Sequence, residues 1–439
     1  MDDLEIKITL TYEVPESGLT FNGLVRCLEV DGRRILLSIL EAMLEAIEKK
    51  AIEALMSESL NRYVRNGHQR NERKLITPFG TLRYRMAQVR DRQTCSTVIP
   101  LARALSIRPY KHYQGVSLEA GMGQVIHVSF RQAAAEVERI RGDSPSKSTL
   151  HRWVQEIGQC RLKWPQRKGT PFRFLMADET KVHLQRGRGQ DLGQRSMRWV
   201  MASTGVKQPF ELIGAWIDTP WAVIRNDLEK RINYQTLRVL FSDGDLAIAG
   251  ALLDEGMELQ RCLIHGKRDF PYILYEDGFK KPQQMPLREK LEKIPVFHLT
   301  KDSLEAIEAT DLERIRSLAE KTRVGFEELI EALDPSKYPK ARTYVENLYR
   351  HTMTFLGYWM ENAEWIPLNT NAIESAFGRV KNRIKRIGRR WSQEGLLRWL
   401  KLAYRKIFRP SLWDSFWKRY LKLNPSPRLM MMKLEYRWR

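Results

Sequence analysis

Two short apolar runs, each closed by an aspartate, narrow what this chain can fold into. Phe174-Leu175-Met176-Ala177 ends on Asp178, and Val239-Leu240-Phe241-Ser242 ends on Asp243. Each run reads as a strand, and an acid at a strand end is held rigidly by its sheet. If the two strands are neighbours, their carboxylates converge at the sheet's edge. Gly244, directly after the second acid, then leaves room beside it.

The surrounding pattern supports this reading. Residues 172–183, 198–205 and 210–217 read as three successive strands, separated by Gly187-Arg188-Gly189-Gln190 and Lys207-Gln208-Pro209. A helix is expected over 222–234, a fourth strand over 237–242, a helix over 246–253 and a short fifth strand over 259–264. This order resembles an α/β RNase H-like core, a mixed five-stranded sheet with helices, whose first part occupies 170–265. From 266 to 366 the pattern is helical, an all-α insertion. Helices of the same core are expected over 367–424, followed by a basic tail at 425–439.

The N-terminal part is mainly helical. Residues 6–14 alternate within a segment, 1–60, that also holds an amphipathic helix from about 31. Leu36, Leu40, Met43 and Ile47 form its stripe, with Glu41, Glu45, Lys49 and Lys50 off it. It reads first as a packed helix and second as a dimerisation helix. Residues 61–160 read as a DNA-binding region. Arg62, Arg65, Arg70, Arg73 and Lys74 precede an alternating strand at 77–85, with Leu82 and Tyr84 on one face and Arg83 and Arg85 on the other. The strand belongs to a basic β-hairpin, either laid on phosphates or simply solvated. At about 128–157 lies a helix-turn-helix pattern. Ser146 or Ser148 caps its second helix, which presents Lys147, Thr149, His151 and Arg152. A plain helical hairpin has the same pattern.

Charge decides among partners. The 439 residues carry 74 Lys+Arg against 53 Asp+Glu, a formal charge of +21, which points to a polyanion and most simply to nucleic acid. Cys27, Cys95, Cys160 and Cys262 include no C-x-x-C pair, which fits a reducing cytoplasm. No apolar stretch reaches membrane-spanning length, so no membrane association is expected.

Against that basic background Glu374 stands out. It follows Asn369-Thr370-Asn371-Ala372-Ile373 at the start of a helix with an apolar stripe of Ile373, Phe377, Val380, Ile384 and Ile387. Glu374 shares a face with Gly378, Lys381 and Lys385, and Arg389 extends the basic series. The lysines and Arg389 suit phosphates; Glu374 alone could simply favour the helix dipole. Three carboxylates suffice to hold two Mg²⁺ ions, which together activate a water and stabilise a leaving oxygen in phosphodiester cleavage. Glu179, Asp245 and Asp269 are rivals: Glu179 is expected on the opposite strand face, Asp245 either behind the site acids or at a helix cap, and Asp269, within Arg268-Asp269-Phe270, in a pair with a basic neighbour. Cys262 and His265 form a lone C-x-x-H, which is too few ligands for zinc.

Asp178, Ser242-Asp243-Gly244, Arg261-Cys262-Leu263-Ile264-His265 and Thr370-Asn371-Ala372-Ile373-Glu374, in this order and spacing, resemble the DDE transposases of the Mutator-like superfamily, which includes prokaryotic insertion-sequence relatives. The resemblance spans about 60–410. It implies that Asp178, Asp243 and Glu374 are catalytic and bind two Mg²⁺ or Mn²⁺ ions. It implies cleavage at transposon ends and attack of the freed 3′-OH on target DNA. Cys262 and His265 would shape the site. The implied partners are double-stranded DNA and further copies of the chain, at the nucleoid of a prokaryotic cytoplasm. In some relatives an insertion aromatic stacks on an unpaired base; Trp359 and Trp365 are candidates for that role or for core packing. A domesticated, non-catalytic DNA-binding protein and another RNase H-like endonuclease are the alternatives.

Overall fold

The computed structural model describes residues 4–13, 17, 20–58, 61–107, 112–113, 115–141, 144–160, 162–186, 190–307, 311–387, 391–423, 429–430 and 432. The chain forms two compact units, Met1–Ile157 with Arg409–Arg439, and Gly158–Phe408. Among the described residues no helix is long and apolar enough to cross a membrane.

The first unit opens with α1 (Phe21–Glu58). The helix begins ten residues before the expected start. Thr20 Oγ1 accepts from Gly23 N–H there at 3.1 Å, and Phe21, Leu24, Val25 and Leu28 are exposed, so no buried stripe marks this half. Further along, the buried stripe runs through Leu37, Leu40, Leu44 and Ile47, while Leu36 faces out, a correction to the expected register. Strands β1 (Tyr63–His68), β2 (Arg73–Thr77), β3 (Gly80–Tyr84), β4 (Ala87–Asp91) and β5 (Thr97–Val98) follow. β2 and β3 form the expected hairpin, with Leu82 and Tyr84 buried and Arg83 exposed. Glu48 of α1 is buried beneath it, accepting from Tyr84 Oη at 3.0 Å and Ala87 N–H at 2.8 Å. Helices α2 (Pro100–Ala104), α3 (Gly115–Val125), α4 (Phe130–Arg141) and α5 (Lys147–Cys160) complete the run. The C-terminal helix α16 (Pro410–Leu421) also belongs to this unit. Residues 4–13 adopt no regular structure, and Val14 lies outside the described residues. Of the expected basic tail only Leu429, Met430 and Met432 are described, and all three are exposed.

The second unit is built on a mixed five-stranded sheet of β6 (Phe174–Arg186), β7 (Gln190–Ser203), β8 (Glu211–Ile217), β9 (Val239–Ser242) and β10 (Glu258–Arg261), in the order β10-β9-β6-β7-β8. β10, β9 and β6 run parallel, and β6, β7 and β8 form an antiparallel meander. Helices α6 (Trp221–Arg231) and α7 (Leu246–Leu252) cover one face, where Ile224, Leu228, Ile248 and Leu252 pack on Leu175, Ala177, Val200 and Leu240. The fifth strand ends at Arg261. Cys262 is a helix cap, so Leu263 and Ile264, expected in that strand, instead begin α8.

Helices α8 (Leu263–Glu276), α9 (Lys281–Lys293), α10 (Lys301–Glu305), α11 (Leu312–Ala332), α12 (Pro339–Thr352) and α13 (Thr354–Asn362) form the helical region. It is pinned to the edge strand by side chains: Gln260 Oε1 accepts from Phe355 N–H at 2.8 Å, and Thr354 Oγ1 donates to Leu259 O at 2.9 Å. These bonds satisfy an α13 N-terminal donor and a strand carbonyl together. The chain then enters α14 (Asn371–Lys381), a π turn (Asn382–Arg386) and α15 (Gln393–Ala403).

Candidate active site

Register brings the first two acids together. β6 and β9 pair at a constant offset of 65 residues, Phe174 with Val239, Leu175 with Leu240 and Met176 with Phe241. Carried two residues past the last pair, the same offset leads from Asp178 to Asp243, the residue after β9, and the charge of Asp243 acts on Asp178. Alternation puts Asp178 on the face of Phe174 and Met176, away from α6 and α7. Its cross-strand partner is Trp199, whose ring lies 4.6 Å from that of Phe377 on α14. The helix carrying Glu374 therefore covers the face that carries Asp178.

Asp178 is 7% exposed, and its only hydrogen bond among the described residues comes from Glu179 N–H at 2.7 Å. Burial, then the charge of Asp243, pushes its carboxyl up to about 7. Glu374 adds a smaller repulsion, while the Glu179 amide and His265 act against the shift. Among the described residues no three His, Cys, Asp or Glu side chains gather closely enough to hold a metal ion. Carboxylates without a countercharge repel in this way. Carboxylate oxygens of this kind are the ligand class of Mg²⁺ and Mn²⁺.

The C-x-x-H motif positions the third acid. Cys262 N–H donates to Ser242 O at 2.9 Å, tying the motif to the end of β9. Cys262 Sγ accepts from Thr370 N–H at 3.4 Å, and Leu263 N–H donates to Leu368 O at 3.0 Å. Thr370 caps α14, so the cysteine fixes where that helix starts. His265 Nε2 lies 3.6 Å from Glu374 Oε1. Burial would raise the Cys262 thiol, but bonds with His265 and Thr370 lower it, and the thiol in turn raises His265. Glu374 itself is exposed, in the first turn of α14.

The rivals are accounted for elsewhere. Glu179 faces the other side of β6, where it accepts from Arg198 Nε at 2.8 Å and Ser196 Oγ at 2.6 Å. Asp245 caps α7 through Ala247 N–H at 2.8 Å, and Asp269 pairs with Arg268 Nε at 2.9 Å. Gly378 and Lys381 are exposed with Glu374, but the π turn breaks the stripe before Lys385. Lys385 Nζ donates instead to Thr180 Oγ1 at 2.9 Å, two residues beyond Asp178 on the same strand face. Arg389 lies outside the described residues. Trp359 is fully buried against Phe355, which leaves it a core residue; Trp365 is half-buried.

One expectation is corrected. Gly244 has φ +106°, and a Cβ there would lie 2.2 Å from Arg261 Nε. The space beside Asp243 is filled by that guanidinium. Its other face lies over the Tyr344 ring at 4.3 Å, and the Tyr344 hydroxyl donates to Gly266 O at 3.0 Å. Arg261 stands at the head of the C-x-x-H segment with no role of its own there, and Tyr344 belongs to no motif. A cation closing the short strand Glu258-Leu259-Gln260-Arg261 was a readable signal for the first, and nothing local marks the second.

In the first unit, Leu150, Trp153 and Val154 of α5 are buried while Lys147, His151 and Arg152 are exposed. Ser146 caps the helix, accepting from Thr149 N–H at 3.2 Å. The Thr149 hydroxyl is engaged with Ser146 Oγ at 3.1 Å, and the His151 ring sits edge-on to Phe130 at 5.4 Å. Gly142 and Asp143, in the expected turn, lie outside the described residues.

A model for an uncharacterised protein family, UPF0236, matches residues 15–196. The match spans the first unit's N-terminal elements and β6 with Asp178, and stops before Asp243 and Glu374. No curated protein matches the chain.

Proposed function

We propose that this protein is a DNA transposase of the DDE class with an RNase H-like core, cutting transposon ends and joining the freed 3′-OH to target DNA. The observation that carries this reading is the register of β6 on β9, which sets Asp178 beside Asp243 under the helix bearing Glu374. Asp178, Asp243 and Glu374 are the residues that would hold divalent metal. Two such ions, when bound, supply an activated water and charge on the leaving oxygen. The chain's own residues do the positioning. The sheet fixes the two aspartates, Cys262 sets the start of α14, and His265 orients Glu374. Lys381 is exposed on the helix bearing Glu374 and suits the phosphate backbone, whereas Lys385 would have to leave Thr180 to reach it. The charge of +21, the basic β2–β3 hairpin and the exposed Lys147, His151 and Arg152 support binding to duplex DNA, with α4 and α5 acting as a helix-turn-helix.

The test is nicking and strand transfer on DNA carrying the element's ends, with Mg²⁺ or Mn²⁺. The wild type should do both, and Asp178→Asn and Glu374→Gln neither. Full activity in either variant would sink the assignment. Hydrolysis without strand transfer would indicate an endonuclease, and specific binding without cleavage a domesticated binding protein.

A further inference from the structure

Buried arginines in the Gly158–Phe408 unit have protein partners, with one exception. Arg231 pairs with Asp227 and donates to Ile213 O at 3.1 Å. Arg383 donates to Ile387 O at 2.7 Å beneath Trp391. Arg261 is as buried as these, at 7% exposure. Yet its Nε is buried without a hydrogen bond, and among the described residues no carboxylate lies within 4 Å of its guanidinium. Its guanidinium lies between the Tyr344 ring on one side and Gly244 on the other, near enough to His351 to lower that imidazole.

Its place is specific. Arg261 ends β10 and pairs in register with Ser242, so the guanidinium lies beside the Asp243-Gly244 turn. A buried charge with no ion-pair partner is costly to keep out of water. The glycine at positive φ admits the group where any side chain would collide with it. The local fold thus accommodates a cation that has Asp243 in its neighbourhood but forms no ion pair among the described residues. A guanidinium is a planar fork that matches phosphate oxygens, and stacking on an aromatic ring holds the fork flat.

We infer that Arg261 is a phosphate-binding residue, its guanidinium taking a non-bridging oxygen of the DNA strand that passes Asp243. That the phosphate belongs to DNA rests on the transposase reading; that the site takes a phosphate does not. Bound phosphate would supply Arg261 with an ion-pair partner.

Two probes test this on the full chain. The first is inorganic phosphate, titrated against chloride at constant ionic strength, with the melting temperature as readout. Wild-type protein should gain about 2–4 °C at saturation. Arg261→Gln should gain nothing, and Arg261→Lys should keep part of the gain. In phosphate-free buffer Arg261→Gln should melt at or above the wild type, because it removes an unpaired buried charge. A lower melting point, or failure to fold, would make Arg261 a structural strut and overturn the inference. So would a wild type that ignores phosphate. The second probe is a duplex oligonucleotide. Arg261→Gln should flatten the dependence of log K on log salt by about 0.9, one phosphate contact, and an unchanged slope would oppose the DNA assignment. An intact phosphate response in a protein that never cuts DNA would instead count against the transposase reading alone.

Discussion

Asp178 and Glu179 are consecutive residues on β6, and the two faces of the sheet treat them in opposite ways. On one face Glu179 has full satisfaction. Although burial opposes it, bonds from Lys181, Ser196 and Arg198 hold its carboxyl down at about 2. On the other face Asp178 is more deeply buried, has one backbone bond and faces the charge of Asp243, which with burial lifts it to about 7. One face is arranged for stability. The other keeps two carboxylates close, and among the described residues the neighbouring Arg261 guanidinium pairs with neither.

The comparison is broken most sharply by exchanging the roles. Asp178→Asn should abolish metal-dependent nicking, whereas Glu179→Gln should keep the chemistry in whatever protein remains folded, which gel assays at equal folded concentration resolve. Next in size, Glu179→Gln should lose about 2–4 kcal/mol of stability by chemical denaturation, since it leaves Arg198 half-buried without its carboxylate. Asp178→Asn should do the reverse in metal-free buffer, gaining on the order of 2 kcal/mol at pH 8 and nothing at pH 4.

The pH dependence follows from the same two groups. Glu179 titrates lower in the fold than in the unfolded chain, so its stabilisation is present above about 4.5 and is lost as pH falls towards 2. Asp178 titrates higher, so its contribution is intact below about 4 and is lost as pH rises through about 7. Metal-free stability should decline from pH 4 to 8 in the wild type, and less steeply in Asp178→Asn. The smallest effect concerns the third acid. Cys262→Ala removes the acceptor of Thr370 N–H and should cost about 1 kcal/mol, with a few-fold loss of nicking as α14 loosens.

Much of the second unit was legible because its signals are local. Strands β6, β8 and β9 and helices α6 and α7 lie within a few residues of the expected spans, since apolar runs and turn residues bound them, whereas β7 begins at Gln190, eight residues before its expected start. The faces of β3 and α5 followed from simple alternation and helical spacing. What escaped depends on contacts distant in sequence. The first half of α1 buries no stripe, so periodicity could not reveal it. The π turn redirects Lys385 to Thr180, a partner some two hundred residues away. Gly244 was rightly singled out as making space, but its occupant, Arg261, comes from the next strand of the sheet. The acids themselves were visible as charges closing apolar runs; their convergence needed the 65-residue register.

The central claim is that Asp178, Asp243 and Glu374 act as one metal-dependent site, and Mn²⁺ binding followed by electron paramagnetic resonance tests it most directly. The wild type should bind Mn²⁺ at the site, and Asp178→Asn, Asp243→Asn and Glu374→Gln should each weaken that binding at least tenfold, while Glu179→Gln leaves it unchanged. Mn²⁺ binding indifferent to all three acids would contradict the account.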